Sequence, residues 1–158
     1  KNLMLQAYSQ PESKRNSPKV QGILIHELLA KIEIASDIDW VLEEACALGK
    51  IDLNTTETLK QMLTDVVDHP LLKPFFSNAY TVWNERDILI PDSENIRPDR
   101  LMENKCEMVL IDYKTGKPKD EDHQQIAHYK KVVSQVFKGK KVKTYLIYIQ
   151  EEKKIQVV

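Results

Sequence analysis

The sequence predicts a mixed α/β protein, because the spacing of its hydrophobic residues changes from a helical to a strand-like period partway along the chain. Residues 18–78 are predicted to be mainly helical, and residues 79–158 to form strands and one further helix. With 158 residues, the chain can bury a sizeable core without disulfides or a structural metal. We therefore expect helices and strands in packed layers.

The N-terminal residues divide into a tail and a helix. Residues 1–17 are polar and follow no clear period, so we interpret them as a tail or linker. Ser17 followed by Pro18 is a helix start signal. The hydrophobic residues that follow at helical spacing are Val20, Leu24, Ile25, Leu28, Leu29 and Ile32.

Two more helices are predicted before the change of period. The first covers residues 36–49, with Ser36 as its cap and Gly49 as its stop. Its inward-facing residues are predicted to be Trp40, Val41, Ala45 and Leu48. The next covers residues 54–68 and is ended by Pro70, since the residue before a proline avoids helical geometry.

The second half is read as strands around a single helix. The predicted strands cover residues 79–90, 95–102, 106–113 and 143–149, with residues 155–158 as a closing hairpin partner. The helix is predicted over residues 120–137, and turns over residues 91–93 and 104–105. The order of elements favours a layered sheet with helices packed against it.

Composition excludes several classes of protein. The net charge of −1 argues against a surface coated with DNA-binding charge, although residues 113–158 hold eleven lysines and five acids. Two cysteines are too few for a four-cysteine iron–sulfur cluster, so none is expected. No apolar run is long enough to span a membrane. We expect a cytoplasmic protein, and the first residue, Lys1, suggests a domain of a larger polypeptide.

One pair of short motifs carries most of the chemistry. Asp99 follows Pro98, and Asp112 precedes Lys114 by two residues. If the two strands form an antiparallel hairpin that turns at residues 104–107, Asp99 and Asp112 face each other, with Cβ atoms about 4.5 to 5.5 Å apart. Lys114 then shares their face of the sheet.

Two facing carboxylates repel each other unless a cation neutralises them. Mg²⁺ is commonly held by one or two carboxylates, and it can polarise a phosphoryl oxygen. The same spacing is also compatible with an exposed hairpin that carries an ordinary cross-strand salt bridge.

Pro98-Asp99 together with Asp112-Tyr113-Lys114 resembles the signature of the PD-(D/E)XK nuclease superfamily, and in particular of its RecB/AddA-type branch. The GxxxH helix of that branch is matched by Gly22 and His26, and its QxxxY helix by Gln125 and Tyr129. The motifs occur in the family's order and cover most of the chain from Gly22 onward.

The resemblance implies a restriction-endonuclease-like core, in which a mixed central sheet is flanked by helices and preceded by an N-terminal helical segment. It also implies that His26, Asp99 and Asp112 bind Mg²⁺ or Mn²⁺, with room for two ions, and that Asp99, Asp112 and Lys114 are catalytic. Gln125 and Tyr129 hold the DNA strand or orient Lys114, and Gly22 lets the backbone approach closely.

Two positions leave alternatives open. The family's glutamate on the first strand is matched by Glu85, although Asp87 lies two residues away on the same face. Ile96 stands where the family usually has glycine, which puts the approach of the substrate backbone, and the level of activity, in doubt.

The function implied is a metal-dependent DNA nuclease, an exonuclease that processes DNA ends in recombinational repair. Its expected partners are DNA, a UvrD/Rep-like helicase motor in cis and a second helicase-nuclease subunit. The alternative is a nuclease fold used only to dock DNA or protein; a nuclease acting on RNA, or a site-specific endonuclease, has no base-reading element in its favour. A basic run could follow a phosphate backbone or be a solvated face: Lys130, Lys131, Lys138, Lys140, Lys141 and Lys143.

Overall fold

The computed structural model describes residues 18–150 and 155–158, and the tail predicted over residues 1–17 lies outside the described residues. Within this part, four α-helices and five strands confirm the α/β prediction. The helices are α1, Pro18–Ala30; α2, Ile38–Ala47; α3, Leu53–Val67; and α4, Asp120–Val136. The strands are β1, Thr81–Asn84; β2, Arg100–Glu103; β3, Glu107–Thr115; β4, Lys141–Ile149; and β5, Ile155–Val157.

The five strands form one mixed sheet in the order β1-β2-β3-β4-β5. β3 and β4 are parallel, and the other neighbours are antiparallel. A parallel pair needs a long crossover connection, and α4 supplies it between β3 and β4. Among the described helices, none is long and apolar enough to cross a membrane.

The sheet separates two hydrophobic cores, because successive side chains of a strand point to opposite faces. Ile111 and Tyr113 of β3 pack in the core formed with α1, α2 and α3. Met108 and Leu110 pack in the core formed with α4. By the same alternation, Asp112 lies on the face covered by α4.

Two of the predicted strands are shorter than the sequence indicated. The strand predicted over residues 79–90 ends at Asn84, because Glu85 has a φ of 48°, in the left-handed region that breaks an extended chain. The strand predicted over residues 95–102 begins at Arg100. Pro98 has no N–H to donate to the ladder, which explains the later start.

Two predicted inward-facing residues of the second helix are exposed. Trp40 is 45% exposed, and its indole Nε1 donates to Oδ1 of Asp37 at 3.0 Å. Leu48 is 59% exposed because it follows the last residue of α2. Val41 and Ala45 are buried as predicted. Trp40 therefore keeps its polar edge at the surface, as amphipathic side chains do.

Arg100 joins the sheet to the helical layer and was not singled out by the sequence. Its side chain is 0% exposed, and its guanidinium donates to the carbonyl oxygens of Ile32, Glu33 and Phe75. The guanidinium carbon also lies 4.1 Å from the ring centroid of Phe76. Burial lowers the pKa of Arg100. Its forked donors thereby tie the chain after α1 to the start of β2.

We expect Arg100→Lys to lower the free energy of unfolding by about 2 to 4 kcal/mol, because one ammonium cannot reach carbonyls that a guanidinium fork satisfies, and buried unpaired acceptors cost about 1 to 3 kcal/mol each. Urea unfolding followed by circular dichroism measures the change. Arg86→Lys, at an exposed position, is the matched control and should change stability by less than about 0.5 kcal/mol. Equal effects of the two changes would contradict this role for Arg100.

Candidate active site

The hairpin of β2 and β3 has the register that the sequence predicted. Arg100 lies opposite Ile111, so the next step of the register sets Asp99 opposite Asp112. The turn is held by Asn104, whose backbone N–H donates to the carbonyl of Glu107 at 3.1 Å. The two acidic residues are therefore brought to the same end of the hairpin, as expected from their equal distance to the turn.

Asp112 is a buried carboxylate, with 4% of its surface exposed. Burial, together with the nearby charge of Asp99, raises the pKa of Asp112 to about 6. Nζ of Lys114 lies 2.7 Å from Oδ2 of Asp112. Apart from this ion pair, Oδ2 has no hydrogen-bond partner among the described residues. Asp112 thus has a buried oxygen able to accept a further cationic partner.

Lys114 is held between the sheet and α4. Its Nζ donates to Oε1 of Gln125, and Nε2 of Gln125 donates to the hydroxyl of Tyr129 at 3.2 Å. Lys114 fixes which end of the amide faces it, because only the oxygen can accept from an ammonium, and this leaves the NH₂ group to donate to Tyr129. Although burial opposes it, the Asp112 carboxylate raises the pKa of Lys114. Lys114 is therefore oriented and charged.

His26 reaches the hairpin from the helical layer. Its Nδ1 lies 2.9 Å from the carbonyl oxygen of Gly22, and its Nε2 lies 2.8 Å from that of Tyr113. Nε2 is also 3.5 Å from Oδ2 of Asp99. Carbonyl oxygens only accept, so both ring nitrogens carry protons in this arrangement. The hydrogen bond to Asp99 accordingly raises the pKa of His26 to about 9.

Close packing between α1 and β3 explains why residue 22 is a glycine. A Cβ added to Gly22 would lie 2.7 Å from Oγ1 of Thr115, which is closer than such atoms approach. The missing side chain lets α1 lie directly against the end of β3. This close approach is what delivers His26, one turn further along α1, to Asp99 and Tyr113.

Glu85 lies beside the site but not within it. An open cleft of about 660 Å³ is lined by α1 residues including His26, and by Glu85 and Thr115. The carboxylate of Glu85 is 3.7 Å from the guanidinium of Arg97. Asp87 is exposed and is not a lining residue of this cleft. Of the two candidate carboxylates, Glu85 is thus the one that faces the same space as His26.

The backbone around Tyr113 contributes groups that sequence reasoning missed. The Tyr113 N–H donates to Oδ2 of Asp99 at 2.8 Å, and its carbonyl oxygen faces His26. The type of a residue does not indicate whether its backbone carbonyl belongs to a site. The register of the hairpin was the one feature of the sequence from which the position of this carbonyl could have been predicted. The phenol of Tyr113 is buried in the core with no hydrogen-bond partner among the described residues.

The described residues contain no group of three or more His, Cys, Asp or Glu side chains already arranged around a metal position. The donor types nevertheless fit Mg²⁺ or Mn²⁺: carboxylate oxygens of Asp99 and Asp112, the carbonyl of Tyr113 and the imidazole of His26. Nδ1 of His26 donates to a backbone carbonyl, as metal-binding histidines commonly do with their second nitrogen. Nε2 would bind an ion after losing its proton.

Ile96 has a packing role at the position where the resembled family usually has glycine. It is 2% exposed and forms a bridge with Ile88, with a hydrogen bond of 2.8 Å from the Ile88 N–H to the Ile96 carbonyl. Ile96 packs in the same core as Leu101. Its side chain therefore supports the loop that leads to Asp99.

Much of the basic run lies at the end of the sheet opposite the site. The N–H of Lys141 donates to the carbonyl of Cys106 at 3.1 Å, beside the hairpin turn. The first residue of β3, Glu107, precedes Asp112 by five residues, which is about 17 Å along the strand at roughly 3.3 Å per residue. Lys140 forms an ion pair with Glu103, and Lys143 forms one with Glu107 at 2.6 Å. These lysines are thus set apart from the acidic cluster.

A scan against models of protein families gives no match, and a search of the curated proteins gives none either.

We expect Gly22→Ala to lower both stability and the affinity for Mn²⁺, because the new methyl group meets Thr115 and pushes α1 away from β3. The loss of stability should be about 1 to 3 kcal/mol, typical of overpacking. Denaturant unfolding and calorimetric Mn²⁺ titration measure the two effects.

Thr115→Ala provides the control for this steric account. Combined with Gly22→Ala, it removes the oxygen that the new methyl group meets, so the double variant should recover most of the loss. Strictly additive effects of the two changes would contradict a direct contact between these residues.

Proposed function

We propose that this chain is a metal-dependent DNA nuclease domain that hydrolyses phosphodiester bonds. The observation that carries the proposal is the pairing of the buried Asp112 carboxylate with Asp99 on one side and Lys114 on the other. Such a cluster is costly as simple packing, because burial and like charge both disfavour ionised carboxylates. Perturbed ionisable groups gathered beside a cleft are typical of catalytic sites.

The ion would be held by His26, Asp99, Asp112 and the Tyr113 carbonyl. A bound Mg²⁺ or Mn²⁺ supplies positive charge that polarises a phosphoryl oxygen and favours attack by water. Lys114 donates hydrogen bonds toward the charge that develops on the phosphate, and its contact with Gln125 orients it beforehand. Asp99 also accepts from the Tyr113 N–H, which fixes the carboxylate relative to β3.

The resemblance to RecB/AddA-type nucleases extends the proposal to biology and to fold. On that ground the proposal includes a restriction-endonuclease-like core and exonucleolytic end processing in recombinational repair. It also includes a helicase motor and a second helicase-nuclease subunit as partners. The cytoplasm is the proposed location. The five-stranded mixed sheet between helical layers is compatible with such a core.

One observation favours a second candidate function, a nuclease fold that docks DNA or protein without turnover. Lys114 lies directly on the Asp112 carboxylate, so the two charges largely cancel each other. In a docking module this pair would serve only stability, and its removal would change folding rather than cleavage.

We expect Asp112→Asn and Lys114→Met each to lower the rate of DNA cleavage by at least about 10²-fold, the usual effect of removing a group that stabilises the transition state. The assay incubates the purified chain with end-labelled linear single- and double-stranded DNA in Mn²⁺, in Mg²⁺ and in EDTA. Asp68→Asn is the matched control, because Asp68 is an exposed carboxylate whose partner is Lys73 at 3.6 Å.

Wild-type protein should cut in Mn²⁺ or Mg²⁺ and not in EDTA. Cleavage that persists in EDTA, or in both site variants, would contradict the metal-dependent proposal. A folded wild-type chain that never cuts, in either metal, would favour the docking module.

A further inference from the structure

The cleft beside His26 runs along a single face of α1. Its lining residues on that helix include Lys19, Gly22, His26 and Ala30, which are spaced three, four and four residues apart. Residues at this spacing lie above one another on a helix. The cleft therefore extends along α1 past His26, the residue that contacts Asp99, toward the beginning of the helix. Its volume of about 660 Å³ lies within the roughly 300 to 1,000 Å³ of small-molecule sites, which suits a piece of one DNA strand.

Nearly all the charged groups that line this cleft have partners of opposite sign. Glu85 faces Arg97, and Lys31 forms an ion pair with Glu44. Glu27, also a lining residue, forms an ion pair with Lys50. The two charges of each pair cancel, so these three pairs add no net charge to the cleft.

Lys19 differs from the other cations of the cleft. It is exposed, and it forms no ion pair with residues 18–150 or 155–158, which the structure describes. Seven residues separate it from His26, which is about 10 Å along the helix axis at 1.5 Å per residue. Successive phosphates of an extended single strand are farther apart than the 3.4 Å rise along a duplex axis, so this distance spans about one or two nucleotide steps. An ammonium with no ion-pair partner among the described residues suits a phosphate near the one that reacts.

We propose that the cleft along α1 holds a single strand of DNA and that Lys19 binds a backbone phosphate one or two nucleotides from the reacting phosphodiester. The inference rests on the proposed nuclease function for the identity of the ligand. Lys19 is then a substrate-positioning residue: it raises affinity for strands long enough to reach it and does not take part in the bond-breaking step.

The test measures binding separately from cleavage. A fluorescein-labelled 12-nucleotide single strand is titrated with the chain in EDTA, by fluorescence anisotropy, over a series of salt concentrations. Loss of one phosphate contact should reduce the slope of log K against log salt by about 0.7, which corresponds to roughly five- to tenfold weaker binding at 50 mM salt. Lys60→Ala is the control, because Lys60 is exposed on α3 and pairs with Asp39 at 2.7 Å.

We expect Lys19→Ala to show this loss, Lys19→Arg to restore most of the affinity, and Lys60→Ala to bind as the wild type does. In cleavage assays with Mn²⁺, Lys19→Ala should raise KM for the 12-nucleotide strand with little change in kcat, and should leave a dinucleotide substrate unaffected. An unchanged salt slope in Lys19→Ala, an equal loss in Lys60→Ala, or an equal loss on a blunt duplex would overturn the proposal.

These outcomes separate the inference from the proposed chemistry. If the chain never cleaves DNA but binds the strand with a Lys19-dependent salt slope, strand binding in the cleft is supported and the nuclease function is contradicted. If the chain cleaves DNA with no dependence on Lys19, the nuclease function is supported and strand binding by Lys19 in the cleft is contradicted.

Discussion

Burial of the Asp112 carboxylate at the C-terminal end of β3 is the constraint on which the candidate site depends. A buried carboxylate beside a second one is unfavourable unless positive charge compensates it, and here Lys114 supplies part of that charge. Apart from its ion pair with Lys114, Oδ2 of Asp112 has no hydrogen-bond partner among the described residues. In this arrangement Lys114 compensates Asp112 and protonated His26 compensates Asp99, and a divalent ion bound to Nε2 of His26 would replace the positive charge that its proton supplies.

The other groups of the site are brought to Asp112 by contacts between layers. Gly22 allows α1 to approach Thr115, which sets His26 against Tyr113 and Asp99. On the opposite face, α4 sets Gln125 against Lys114. Arg100 ties the chain after α1 to the strand that follows Asp99. Rigid elements from both sides of the sheet therefore position the cluster, which is the arrangement that precise chemistry needs.

Local patterns were sufficient to predict the helices and the hairpin register, because periodicity and equal distance to a turn are properties of neighbouring residues. They failed where the outcome depends on the whole fold. Trp40 was predicted to be buried from its spacing, but its indole bonds Asp37 at the surface. The role of Arg100 depends on three carbonyl oxygens that are distant from it in sequence. The role of the Tyr113 carbonyl depends on the backbone geometry of β3. Neither role can be predicted from the type of residue at that position.

The claim that His26 and the paired carboxylates share one divalent ion is tested most directly by pulsed electron paramagnetic resonance on the Mn²⁺-loaded chain. The account predicts a ¹⁴N coupling to Mn²⁺ from one imidazole, which disappears in His26→Ala and persists in His123→Ala, a variant of an exposed histidine on α4. A coupling that survives His26→Ala, or its absence from the wild-type chain with Mn²⁺ bound, would contradict the account.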